Sequence, residues 1–185
     1  MIILGIDPGT VVTGYGVIAL EPKKASRFQV VEFGVIEARK LDAMSKRLAA
    51  IFKRLQAVID RAAPDECAIE TAFYDKNIQS SMKLGQARGV AVVAAELAGV
   101  PVSEYAPRVI KKAVTGNGNA SKTQVEFMVR RLLTLEEQEK KLSDAYDALA
   151  IAITHALRKG EGQRSAGSWK QFVEAHPDRI KKNTK

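Results

Sequence analysis

Hydrophobic residues change their spacing several times along this chain, and each change marks an element. Ile2–Ile6 is an unbroken apolar run, the pattern of a buried strand. Asp7-Pro8-Gly9-Thr10 then reads as a turn, because proline presets φ and glycine admits conformations closed to other residues. Thr13–Leu20 is expected to be its hairpin partner, Glu21-Pro22-Lys23-Lys24 a loop, and Phe28–Ala38 a third, alternating strand. From Leu41 to Ala63 the period becomes three and four. Leu48, Ile51, Phe52, Leu55, Val58 and Ile59 share one face of a helix that Pro64 ends. Glu66–Glu70 is a short apolar strand. Ser80–Leu97 is a helix rich in small residues, stopped by Gly99, and Val100–Tyr105 is a fifth strand. Pro107–Val114, Ser121–Leu133 and Ser143–Leu157 are three more helices, with a mobile turn at Thr115–Asn119 after the first.

Three strands in a meander, then strands separated by helices, predict an α/β fold with a five-stranded mixed sheet flanked by helices on both faces. Right-handed crossovers place the fourth strand beside the first and parallel to it. This is the ribonuclease H-like arrangement. Residues 1–158 form the single expected domain. Residues 159–185 lose the periodicity, are rich in Gly and Ser, and read as a flexible tail.

Composition narrows the class. Apolar residues make up 46% of the chain and charged residues 27%, which fits a globular protein and excludes wholesale disorder. No apolar run approaches the ~18 residues of a membrane span, and the N-terminus lacks the basic start of a signal peptide. One cysteine, Cys67, excludes a disulfide framework. A cytoplasmic protein with no membrane partner is expected. The net charge is +8, of which residues 158–185 carry +5. A polyanionic partner would account for it.

Four acids carry the chemistry. Asp7 ends the first strand and Glu70 the fourth, so parallel pairing brings both to the carboxyl end of the sheet, where open α/β sheets bind ligands. Taken singly, each is an ordinary turn or strand-end acid. Asp144 and Asp147 lie three apart on one face of a helix that is otherwise apolar on nearly every side. A cap at Ser143 and the helix dipole explain Asp144 better than Asp147. Uncompensated burial of a carboxylate costs several kcal/mol, and a divalent cation removes that cost. An all-oxygen donor set suits Mg²⁺, with Mn²⁺ able to substitute. Two such ions about 3.5–4 Å apart are suited to phosphodiester hydrolysis. His155 lies too far along its helix to join the same ion, and His176 lies in the tail.

The residues also match a family. Ile3-Leu4-Gly5-Ile6-Asp7-Pro8-Gly9-Thr10 with Thr13-Gly14-Tyr15-Gly16-Val17-Ile18 resembles the opening of RuvC, the bacterial Holliday junction resolvases. Ala68-Ile69-Glu70 with Phe73, Lys83 through Val90, and Asp144 through His155 resemble its further motifs in order. The resemblance implies a homodimeric, Mg²⁺-dependent endonuclease that makes paired nicks in strands of like polarity at a four-way DNA junction, in recombination and repair. It implies the RuvA and RuvB branch-migration proteins as partners. By motif position Asp7, Glu70, Asp144 and Asp147 are the catalytic, metal-binding acids. Lys111 and Lys122 match DNA-contacting or catalysis-supporting lysines, and Phe73 a wedge beside the cut. Lys83 and Arg88 face either DNA or a partner subunit. Two departures stand out: the charged stretch Leu135–Lys141, and the tail, which matches nothing firmly.

Two other classes use parts of the same pattern. An actin- or sugar-kinase-like ATPase also carries a Gly-x-Asp-x-Gly-Thr phosphate loop, but needs two such domains and this chain offers one. A non-catalytic junction-binding module explains the charge and leaves four converging acids without a use.

Overall fold

The computed structural model describes residues 1–20, 28–71, 78–135 and 142–165, the last with side chains up to 159. The elements follow the expected order: β1 (Ile2–Asp7), β2 (Val12–Leu20), β3 (Phe28–Glu37), α1 (Met44–Ala62), β4 (Glu66–Glu70), α2 (Ile78–Leu97), β5 (Val102–Tyr105), α3 (Pro107–Thr115), α4 (Lys122–Leu133) and α5 (Ser143–Ser165). The sheet order is β3-β2-β1-β4-β5. β2 is antiparallel to β1 and to β3, while β4 is parallel to β1 and to β5. This is the ribonuclease H-like sheet that the meander and the crossovers predict.

Successive strand residues point to opposite faces, and the sheet divides the core in two. Leu4, Ile6, Val17, Ile36, Cys67 and Ile69 pack against α1 and α2. Ile3, Ile18 and Ala68 pack against α3, α4 and α5. Helix α5 is the central helix of the second layer. Residues Ala145, Tyr146 and Ala148 through Ala156 are all buried.

Two glycines let α5 approach. A Cβ on Gly5 would lie 2.1 Å from the Ala148 carbonyl oxygen, and one on Gly14 would lie 1.9 Å from that of Asp144. The backbone of α5 therefore rests directly on β1 and β2. The sequence pattern shows the glycines but not this close approach.

Several boundaries differ from the expected ones for local reasons. Helix α1 starts at Met44, because Leu41 turns back to bond Ala38 and its carbonyl accepts from Arg47 Nε. It ends as expected before Pro64, with Ala63 in the left-handed region at φ 44°. β5 starts at Val102, since Pro101 has no N–H to give the ladder. The turn after α3 is not loose as expected. Thr115 Oγ1 accepts from Asn117 N, Asn117 Oδ1 accepts from Asn119 N, and Gly116 caps the helix at φ 78°. Helix α5 continues past Lys159 to Ser165, because Gly160 and Gly162 lower helix propensity without ending the helix. The loop at Glu21–Lys24, Phe73, most of the charged stretch Leu135–Lys141, and residues 166–185 of the tail lie outside the described residues.

Gly5→Ala should destabilise the protein by about 2 kcal/mol or more, since the added methyl meets helix backbone that cannot yield as a side chain would. Urea unfolding measures this. A loss under about 0.5 kcal/mol, the range of an indifferent surface change, would show that α5 does not rest on β1 as described.

Candidate active site

The turn that ends β1 sets the position of the first acid. Thr13 is buried and its hydroxyl donates to the Gly9 carbonyl at 2.7 Å, pinning the Asp7-Pro8-Gly9 corner to β2. Ile6 pairs with Ile69 across the parallel ladder, so Asp7 and Glu70 emerge side by side at the carboxyl end of the sheet. Asp7 also pairs with Gly14 on β2, and the Asp144 carbonyl sits over Gly14. The close contact of α5 thus brings its first two turns over Asp7.

Carboxylate oxygens of Asp7, Asp144 and Asp147 lie within 4.8 Å of one another. Glu70 is not part of this triple. It lines an open cavity of about 220 Å³ together with Asp7 and Asp147. Lys111 from α3 and Lys122 from α4 border the cavity, and Ile110 and Val125 wall it. All four predicted acids therefore meet at one end of the sheet, as three clustered aspartates with a glutamate across a gap.

Electrostatics at the site are strained. Burial, reinforced by Glu70, Asp147 and Asp144, raises the Asp7 pKa to about 8 despite the opposing pull of Lys122. Burial and Asp147 raise Glu70 to about 7, against Lys122 and Lys111. Such shifts mark groups assembled for something other than stability. A hard cation with oxygen ligands is the partner this donor set fits, and among the described residues no histidine or cysteine joins the triple.

Lys122 Nζ donates to Asp147 Oδ2 at 2.9 Å. Its pKa is raised, first by that hydrogen bond and then by the charges of Asp147, Asp7 and Asp144. Lys122 is the first residue of α4, where the helix dipole disfavours a cation. Ser121 and Gln124 close a capping box over the free N–H groups there, and the lysine turns to the acids. No sequence pattern pairs Lys122 with Asp147, 25 residues away. Lys83 lies exposed on α2. Arg88 forms an ion pair with Glu104 on β5, so its charge is already matched within the chain.

The sheet order and its acids define a ribonuclease H-like fold that carries a carboxylate site suited to a metal. Comparison with known proteins makes this specific. The family model described as crossover junction endodeoxyribonuclease RuvC matches residues 3–155, and the chain belongs to this family. It is 46% identical over 180 residues to the RuvC of Cytophaga hutchinsonii, covering 97% of this chain and 88% of that one. It is 45% identical over 186 residues to that of Porphyromonas gingivalis, covering 97% of each. Among solved structures it resembles Thermus thermophilus RuvC in complex with Holliday junction substrate. That match has a TM-score of 0.78 and 36% identity, over 88% of this chain and 96% of that one.

The raised acids give the metal-free protein a definite pH dependence. Asp7 goes from an ordinary 3.8 to about 8, so the folded chain holds a proton that the unfolded chain has released at neutral pH. Stability of the metal-free protein should therefore fall as pH rises from about 4 to about 8, and divalent metal should restore it most at the upper end. Asp7→Asn should flatten the fall. Thermal melting in chelator across this range checks it, and equal slopes for the parent and Asp7→Asn would contradict it.

Proposed function

We propose that this protein resolves Holliday junctions by metal-dependent hydrolytic nicking of DNA strands. The observation that carries the reading is the convergence of Asp7, Asp144 and Asp147, with Glu70 facing them, in a chain of the RuvC family. Mg²⁺ is the proposed ion, two per site, held by the three aspartates and by Glu70 from across the cavity. When bound, the ions supply charge for the scissile phosphate and a water of lowered pKa. The residues of the chain do the rest. Lys111 and Lys122 border the cavity and bind phosphate oxygens, which requires Lys122 to leave Asp147 as phosphate arrives. Phe73, three residues beyond Glu70, is the residue assigned to stack on a base beside the cut. Lys83 adds a backbone contact. With its charge matched by Glu104, Arg88 is assigned to α2–β5 packing rather than to DNA. RuvA and RuvB are the proposed partners, supported by family membership, and the cytoplasm is the proposed location. No helix among the described residues is long and apolar enough to cross a membrane.

The reading also includes a homodimer through α2. Along this helix Ile78, Met82, Val93 and Leu97 are exposed by 70%, 65%, 49% and 71%, and nothing lies within 4 Å of a Cβ placed on Gly85 or Gly89. Ala87 and Ala91 are buried in the protein's own core. The small residues of α2 thus divide between an inner face and an open outer face. Paired nicks in a twofold junction need two sites related by a twofold axis, and this outer face is the surface proposed to provide it.

Asp7→Asn, Glu70→Gln and Asp147→Asn should each abolish cleavage of a synthetic four-way junction in Mg²⁺ while retaining binding by gel shift. Phe73→Ala should lose more cleavage than binding. Near-normal cleavage by Asp7→Asn would end the metal reading. Met82→Glu should convert a dimer to a monomer by sedimentation at micromolar concentration. A parent protein that is monomeric there, yet nicks both strands in concert, would end the dimer reading.

A further inference from the structure

A second polar cluster, partly buried, lies away from the cavity. His155 on α5 is buried, its side chain only 8% exposed, and both ring nitrogens are engaged. Nε2 meets Glu66 Oε2 at 2.5 Å, and Nδ1 meets the Tyr105 hydroxyl at 2.8 Å. Lys159, one turn further along α5, bonds the other Glu66 oxygen. Burial alone would raise the Glu66 pKa, but the hydrogen bonds from Lys159 and His155 hold it below its usual range. Lys159 adds an ammonium contact to the same carboxylate, so each Glu66 oxygen has its own partner on α5.

The placement of this cluster gives it a role. Glu66 and Glu70 are the two ends of β4, separated by about 13 Å of strand. His155 and Asp147 are eight residues apart on α5, about 12 Å of helix. The same two elements thus carry metal-site acids at one end and the lock at the other, at matching spacing. Tyr105 joins the two levels. It pairs with Glu70 across the β4–β5 ladder, and its carbonyl accepts from Thr71 N at 2.9 Å, immediately after Glu70. Its hydroxyl reaches His155. Glycine contacts fix α5 against β1 and β2, and the lock fixes it against β4 and β5.

We propose that Glu66, His155 and Tyr105 are positioning residues for the metal site: they set the height and tilt of α5 against β4, and so the reach from Asp147 to Glu70. This rests on the reading that these acids bind a divalent cation. Outer supports of metal ligands typically alter affinity by about 10- to 100-fold, and this lock acts at longer range.

The test is Mn²⁺ binding, read by the loss of free-ion paramagnetic resonance signal, on the full chain and on Glu66→Gln, His155→Gln and Tyr105→Phe. The binding midpoint should rise about three- to tenfold in each, near or below the lower end of that range. The Mg²⁺ requirement for junction cleavage should rise in parallel, with the rate at saturating metal within about twofold of the parent, as expected when ligand binding alone is lost. Val58→Ala, a cavity in the opposite core layer, is the control for general loss of stability and should leave the midpoint unchanged. Glu66→Gln alters a side chain that is 22% exposed and keeps its shape, so it tests the lock even if His155→Gln does not fold. Unchanged midpoints in Glu66→Gln and Tyr105→Phe, with tight binding by the parent, would overturn the lock alone. An equal shift in Val58→Ala would also overturn it. Absence of Mn²⁺ binding by the parent would overturn the metal reading and the lock with it.

Discussion

The constraint that organises this molecule is the mutual repulsion of carboxylates at one end of a buried sheet. Oxygens of three aspartates lie within 4.8 Å of one another. At an effective dielectric constant near 20, like charges at that distance repel by about 3 kcal/mol per pair. The free chain answers this in two ways. Asp7 and Glu70 take up protons, and Lys122 places its ammonium on Asp147. A divalent cation on the same oxygens would take the place of both.

Holding such groups together requires a scaffold that does not relax. The backbone of α5 rests on Gly5 and Gly14, where no side chain can act as a cushion. Close-packed interiors have low compressibility, so moving Asp144 and Asp147 away from Asp7 means lifting α5 from the sheet. Glu70 is differently placed. It ends a five-residue strand whose partner on the far side is a four-residue strand. The polar contacts of Tyr105, Glu66 and His155 support that side, where close backbone contact supports the other.

Much of this was legible in the sequence because burial writes periodic patterns. The apolar run at β1, the three-and-four spacing of α1 and the all-round apolar α5 each require their place in the fold. Given parallel pairing of β1 and β4, the four acids follow. Pairings between residues distant in sequence were not legible. The bond from Lys122 to Asp147 joins residues 25 apart on different helices. His155 reads as too remote for the metal, and its bond to Glu66, 89 residues earlier, leaves no local trace. The pairing of Arg88 with Glu104 on β5 is another contact that no local pattern shows. The small residues of α2 looked equivalent. The structure separates Ala87 and Ala91, which face inward, from Gly85 and Gly89, which face out, because a helix with small residues on every side carries little record of which face is buried.

The arrangement of charges also bears on how the site discriminates. Its two lysines come from α3 and α4, the helices that follow β5, whereas the acids come from β1, β4 and α5. Acid and base thus lie on separate structural units facing across one cavity. Lys122 is held by a single surface-facing ion pair, and its side chain remains 73% exposed. Such pairs are weak and easily exchanged. A phosphate entering the cavity offers Lys122 a second anion, while a cation entering offers Asp147 a second partner. The two exchanges favour each other, because each releases the group the other needs. Metal without phosphate must displace the lysine unaided, and phosphate without metal draws Lys122 from Asp147 with no cation to replace it. Occupancy by both together is the state that leaves no charge at this sheet end without a partner.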